Sequence, residues 1–199
     1  MMNFADAFER VPKLALFGAA ALIQIGLIGL MVTDRAEILR TGRDVTLQTR
    51  PLDPRDFLRG DYVILGYNIS SLPAGALKGA PSAGWGTLVF VKAAPNRDGF
   101  YEAISVHTAP VDVAGSEVLI RGRVGFGANC GTEFHTFCDT LDIRYGIERY
   151  FVPEGEGKKL ENARNQRRLT IVAAVAPTGR AAIKRLLIDG EPVYDEPWF

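Results

Sequence analysis

The chain has 199 residues, and its 23 basic side chains balance its 23 acidic ones to a formal net charge of zero. With no basic stripe along any segment, that balance excludes nucleic acid as a partner, since such partners are held through phosphates by clustered Lys and Arg. The length accommodates one membrane anchor and one domain.

Residues 14–33 carry no charge between Lys13 and Asp34, and about 20 apolar residues is what a helix needs to cross a bilayer. A cleaved signal peptide has a shorter apolar run and a small-residue cleavage site. The stretch therefore reads as an uncleaved, single-pass anchor, with residues 1–13 cytoplasmic and 34–44 a juxtamembrane linker whose charged part extends the helix a turn or two. Arg10 and Lys13 precede the anchor while Arg35, Arg40 and Arg43 follow it, a count that argues mildly against an outside C-terminus. Long domains, however, are translocated largely regardless of charge. Ala15, Ala19, Leu22, Gly26, Gly29 and Thr33 give the helix one face of mostly small residues, which would let another membrane helix approach closely. Ala and Gly are also simply common in membrane helices.

From residue 45 the pattern is that of strands. Val45–Thr49 alternates. Leu72–Gly86 is rich in Pro, Gly, Ala and Ser and reads as a long loop. Thr87–Lys92 and Phe100–Thr108 flank a turn at 95–99, and Glu117–Phe126 is a further strand with Val118, Ile120 and Gly122 on one face. Leu141–Tyr145 and Ile147–Val152 lie either side of Gly146, and Lys158–Arg168 is a polar helical segment. The end is a meander through residues 169–194, with Asp189-Gly190 its strongest hairpin signal.

Between the first two strands lies Asp53-Pro-Arg-Asp-Phe-Leu-Arg-Gly-Asp-Tyr-Val-Ile-Leu-Gly-Tyr67. Asp53 suits a helix N-cap, Pro54 the first helical position, and Gly60 the left-handed end, so 54–59 is expected to form one helical turn. Beyond it, Asp61, Val63, Leu65, Tyr67 and Ile69 share one face, and Tyr62, Ile64, Gly66 and Asn68 the other. Both faces are largely apolar, which predicts a central strand covered on both sides. Arg50, Arg55 and Arg59 lie close to Asp53, Asp56 and Asp61, a set that makes either a fold-pinning ion-pair corner, the preferred reading, or a site.

Cys130 and Cys138 enclose His135 in the loop 127–140. In an oxidising compartment they form a disulfide, which typically contributes ~2–4 kcal/mol, and this favours an outside location for the domain. The competing reading has Cys130, His135 and Cys138 as metal ligands, but zinc sites usually show tighter cysteine pairs and a fourth ligand. No metal site is assigned.

Gly60-Asp61-Tyr62, with Leu65 and Tyr67, resembles the signature of the bacterial GDYXXLXY family. Tyr145-Gly-Ile-Glu-Arg-Tyr-Phe-Val-Pro-Glu-Gly-Glu-Gly157 with Leu160-Glu161 is similar to that family's other recurring block. The resemblance implies a bacterial membrane-anchored domain found near multi-spanning membrane proteins; it carries over no catalytic mechanism and no cofactor. The expected fold is mainly β: one N-terminal transmembrane helix, then an antiparallel, barrel-like extracytoplasmic domain over 45–199 with one or two short helices. The expected function is a periplasmic accessory or binding module at the inner membrane that docks on a multi-spanning partner or its ligand. Its candidate binding residues are Arg55, Asp56, Asp61, Tyr62, Tyr67, Arg149 and Tyr150, and no catalytic residue is assigned. The alternative is an anchored hydrolase with an unidentified active site around Asp61. Leu52-Asp53-Pro54 and Gly60-Asp61 imitate a signal-peptidase frame, but Pro51 stands where the nucleophilic serine would be.

Overall fold

A computed structural model describes residues 13–52, 62–73, 85–125, 140–153 and 155–197. The described residues form two compact units, the first ending at Glu37 and the second beginning at Ile38. Among the described residues one helix, α1 (Lys13–Thr41), is long and apolar enough to cross a membrane. Its residues 14–33 carry no charge, and Leu14, Phe17, Leu22, Ile25 and Met31 are all exposed. Thr33 satisfies its hydroxyl on the carbonyls of Gly29 and Leu30, at 2.9 and 3.1 Å.

The second unit begins within that helix. Ile38 and Leu39 are buried against Ala174 and Ala182, two small residues that face each other on neighbouring strands and leave room for a helical turn. Gly42 ends the helix because nothing larger fits: a Cβ there would stand 2.4 Å from the Ile38 carbonyl oxygen and 3.0 Å from Ala174 Cβ. The chain passes at once into β1 (Arg43–Arg50), whose alternate residues Val45, Leu47 and Thr49 point into the core.

Twelve short strands follow the helix among the described residues. β2 (Tyr62–Ile64) and β3 (Gly66–Tyr67) precede a 3₁₀ turn at Asn68–Ser70 and β4 (Ser71–Pro73). Next come β5 (Leu88–Pro95), β6 (Tyr101–His107), β7 (Val118–Val124), β8 (Thr140–Arg144) and β9 (Arg149–Phe151). Helix α2 (Gly157–Asn165) then leads to the meander β10 (Leu169–Val175), β11 (Ala181–Ile188) and β12 (Glu191–Asp195). One five-stranded antiparallel sheet runs β12-β11-β10-β1-β3, another runs β4-β8-β7-β5-β6, and β2 and β9 form a two-stranded ribbon. The inward residues of both sheets and of the ribbon meet in one core that includes Leu47, Val91, Ile120, Ile143, Ile171 and Leu186. Ile183 and Leu186 stand three apart, a spacing that plain alternation would send to opposite faces. An irregularity in the β10–β11 register, where Val172 pairs with Arg185 but Ala173 with Ile183, brings both inward.

The fold is thus mainly β and barrel-like, with one apolar N-terminal helix and a second short one. The hairpins and the meander stand where the turn signals put them. Three expectations change. The strand expected from Asp61 to Ile69 is not one central strand: at Leu65 the chain leaves the ribbon for the main sheet, where β3 is an edge. Its Val63-Leu65-Tyr67-Ile69 face is buried as expected, but Ile64 and Asn68 on the other face are exposed, so the covering is one-sided. The expected loop Leu72–Gly86 begins as strand β4, which pairs with β8 through Pro73↔Thr140. The helical turn at 54–59 and the cysteine loop lie outside the described residues.

Candidate functional site

The two sequence blocks singled out above form one structural unit. Tyr67 is fully buried and donates its hydroxyl hydrogen to the carbonyl oxygen of Ile147. Tyr145, also buried, donates to the carbonyl of Ile69 at 2.6 Å. Each block therefore sends a tyrosine into the main chain of the other. Leu65 N–H adds a bond of 2.8 Å to the Glu148 carbonyl, and β2 pairs with β9 as Tyr62↔Phe151, Val63↔Tyr150 and Ile64↔Arg149. The turn from β8 to β9 is closed by the Glu148 carboxylate, which accepts the N–H groups of Tyr145 and Gly146. Gly146 has φ +83°, a left-handed conformation that favours glycine. Burial, and after it the Glu148 charge, holds both tyrosine hydroxyls well above their ordinary value of 10.0.

Arg164 completes this unit from α2. Its guanidinium is buried, donating to the carbonyls of Ile64 and Leu52 and to Asn165 Oδ1. Leu52 and Ile64 flank the stretch 53–61, so one cation ties both of its described shoulders to the helix. Burial lowers the Arg164 pKa from its ordinary value, opposed by the charge of Glu161. Sequence reading missed Arg164, although Leu160, Ala163 and Arg164 share the spacing of one buried helix face.

The ribbon's other face is open. Alternation turns Val63 and Tyr150 inward and Tyr62, Ile64, Arg149 and Phe151 outward. Phe151 is 78 % exposed and Ile64 39 %. The Tyr62 and Phe151 rings lie 6.0 Å apart, tilted by 52°, and the Arg149 guanidinium carbon stands 5.9 Å from the Tyr62 ring centre, a cation–π arrangement. The result is an aromatic and aliphatic patch carrying one cation, the composition typical of the centre of a protein interface.

The residues expected to bind therefore separate. Tyr62 and Arg149 lie together on the open face, joined by Phe151 and Ile64, which were not anticipated. An outward Phe151 was readable from its position one step beyond an inward Tyr150. Tyr67 is sealed in the core with its hydroxyl engaged. Tyr150 is buried, with its hydroxyl 3.1 Å from Glu196 Oε2 and its ring 6.3 Å from that of Tyr194. Arg55, Asp56, Asp61, Cys130 and Cys138 lie outside the described residues, as do Asp53, Arg59 and His135. Of the expected ion-pair corner Arg50 is described, and its buried Nε has no hydrogen-bond partner among the described residues.

A nucleophile–base contact lies on β6. Ser105 Oγ lies 2.8 Å from His107 Nε2 on β6, with Lys92 opposite Ser105 on β5. Ser105 is buried. A cavity of about 230 Å³, lined in part by Arg43, Val113, Leu119 and Val175, includes neither Ser105 nor His107. Lys92 is engaged with Glu117 at 2.6 Å, and chiefly this holds the Glu117 carboxyl below its ordinary value. Among the described residues no group of three His, Cys, Asp or Glu side chains is placed to hold a metal ion.

The chain belongs to the GDYXXLXY family, whose model matches residues 24–186. No curated protein and no solved structure matches it. The match spans both interlocked blocks, and the motif's tyrosines at 62 and 67 fall on opposite faces, Tyr62 half-buried and Tyr67 sealed.

Proposed function

We propose that this member of the GDYXXLXY family is a membrane-anchored accessory module that docks on a multi-spanning membrane protein. Residues 14–33 hold it in the bacterial inner membrane, and the β-domain stands in the periplasm, where Cys130 and Cys138 form a disulfide. The observation that carries the reading is the open ribbon face of Tyr62, Ile64, Arg149 and Phe151. Exposed aromatic and aliphatic surface is costly in water unless something covers it, and here it sits on strands fixed from beneath by the tyrosine interlock. Rigid placement of an apolar patch suits docking, because little ordering remains to be paid on binding.

The test is co-purification of the full-length chain from native membranes, beside a variant carrying Phe151→Asp and Arg149→Glu. A multi-spanning chain that accompanies the wild type and is lost from the variant, at unchanged melting temperature, is the expected result. Equal recovery with both would refute the docking face.

The Ser105–His107 contact supports a second reading as a hydrolase. Its weakness is access, since Ser105 is only 6 % exposed and a nucleophile needs an open approach for substrate. Treatment with a fluorophosphonate probe should leave Ser105 unlabelled; labelling that disappears in His107→Ala would favour the hydrolase.

A further inference from the structure

The ribbon has an unused edge as well as an open face. Leu65 N–H bonds to the Glu148 carbonyl, which fixes the parity of the antiparallel β2–β9 ladder. Val63 and Tyr150 exchange hydrogen bonds with each other. Tyr62, Ile64, Arg149 and Phe151 turn their N–H and C=O groups away from the partner strand, and on the β2 side Ile64 confirms this by offering its carbonyl to Arg164. On the β9 side the groups of Arg149 and Phe151 point outward, and among the described residues β9 pairs with β2 alone and no hydrogen bond is made to those groups. The side chains beside them are exposed. An open row of donors and acceptors is a template for another strand.

We infer that β9 pairs with β9 of a second copy of this chain, antiparallel about Tyr150, to form a four-stranded sheet β2-β9-β9-β2. Complementarity selects this occupant. A two-fold axis at Tyr150 sets Arg149 opposite the partner's Phe151 and Phe151 opposite the partner's Arg149, so each cation meets a ring, as Arg149 already meets Tyr62 within the chain. The outward main-chain groups of 149 and 151 then face each other and exchange four hydrogen bonds. Antiparallel pairing centred on residue 149 itself would instead set one arginine against the other. The contact is isologous and closes on itself. It also goes beyond the docking reading: the open face of each copy joins the other in one plane, doubling the patch presented to a further partner.

The test uses the full-length chain in detergent, with its oligomeric state measured at several concentrations. The wild type should be a dimer. Phe151→Pro removes an outward N–H at an edge position that tolerates proline and should give a monomer. Phe151→Ala keeps that N–H and loses only the ring, so it should dimerise with an affinity on the order of tenfold weaker. A covalent measurement stands should the proline variant not fold. The doubly substituted chain Arg149→Cys, Phe151→Cys should cross-link into two-chain species on mild oxidation, where the wild type does not. A monomeric wild type, or a dimer that survives Phe151→Pro and does not cross-link through 149 and 151, would overturn the pairing. Either result leaves the face variant of the co-purification experiment free to succeed or fail on its own.

Discussion

The inner and outer faces of the β2–β9 ribbon are made by the same few residues taken alternately, yet they have opposite characters. Inward, Val63, Leu65 and Tyr150 are buried, with Tyr67 and Tyr145 stitching one block to the other. Outward, Ile64, Arg149 and Phe151 are exposed and Tyr62 is half-buried, its ring beside Phe151 and Arg149. A run such as Tyr-Val-Ile-Leu-Gly-Tyr is therefore not one site. Val63, Leu65 and Tyr67 specify the fold, and of the residues between them Ile64, and Tyr62 in part, remain open to contact while Gly66 is buried. Motif membership alone does not distinguish a tyrosine turned into the core from one turned outward; the pleat does.

The strongest way to break this division is from inside. Leu65 is 1 % exposed at the point where the chain changes sheets, and Leu65→Ala should cost ~2–5 kcal/mol through lost transfer energy and the cavity left behind. Urea unfolding followed by tryptophan or tyrosine fluorescence would measure it, and a cost under ~1 kcal/mol would show the interlock to be loosely packed. Arg164→Ala should follow, at about 1.5–3 kcal/mol for loss of a charged donor to buried carbonyls. Limited proteolysis should show earlier cleavage between Leu52 and Ile64 in that variant, and an unchanged cleavage pattern would argue against the clamp.

Alkaline pH sharpens the same comparison more gently. The Tyr67 and Tyr145 hydroxyls are raised in the folded chain, whereas in the unfolded chain they ionise near their ordinary value of 10.0. The stability this contributes is fully present below pH 10 and is lost as pH rises beyond it. Unfolding midpoints between pH 8 and 11 should fall more steeply for the wild type than for the double variant Tyr67→Phe, Tyr145→Phe. Parallel curves would mean that the two hydroxyls are not sealed.

Much of the architecture was legible in the sequence for a local reason. Turn residues such as Asp189-Gly190 and the 95–99 segment act over a few positions, so the hairpins they join can be placed without knowing the rest. The uncharged run at 14–33 is likewise a property of the segment itself. Pairing across long separations is different. Val63-Leu65-Tyr67-Ile69 alternates correctly, but alternation does not say that Val63 pairs with β9 while Tyr67 pairs with β1. Nor does it reveal that Phe151 and Tyr62 meet. Arg164 escaped because a cation in a polar helix ordinarily faces water. Its burial depends on two carbonyls, of Ile64 in β2 and of Leu52 just beyond β1, about a hundred residues earlier in the chain.

The division between the two faces is tested most directly by thermal melting of Tyr67→Phe and Phe151→Ser, side by side in one detergent. Tyr67→Phe leaves the Ile147 carbonyl without its donor, a loss of ~1–3 kcal/mol, and should lower the midpoint by about 2–12 °C for a chain of this size. Phe151→Ser, compared with the wild type at a dilution where both chains are monomeric, changes a surface side chain, within ~0.5 kcal/mol, and should shift the midpoint by no more than about 2 °C. A Phe151→Ser variant that melts as early as Tyr67→Phe, or a Tyr67→Phe variant that melts with the wild type, would contradict the account.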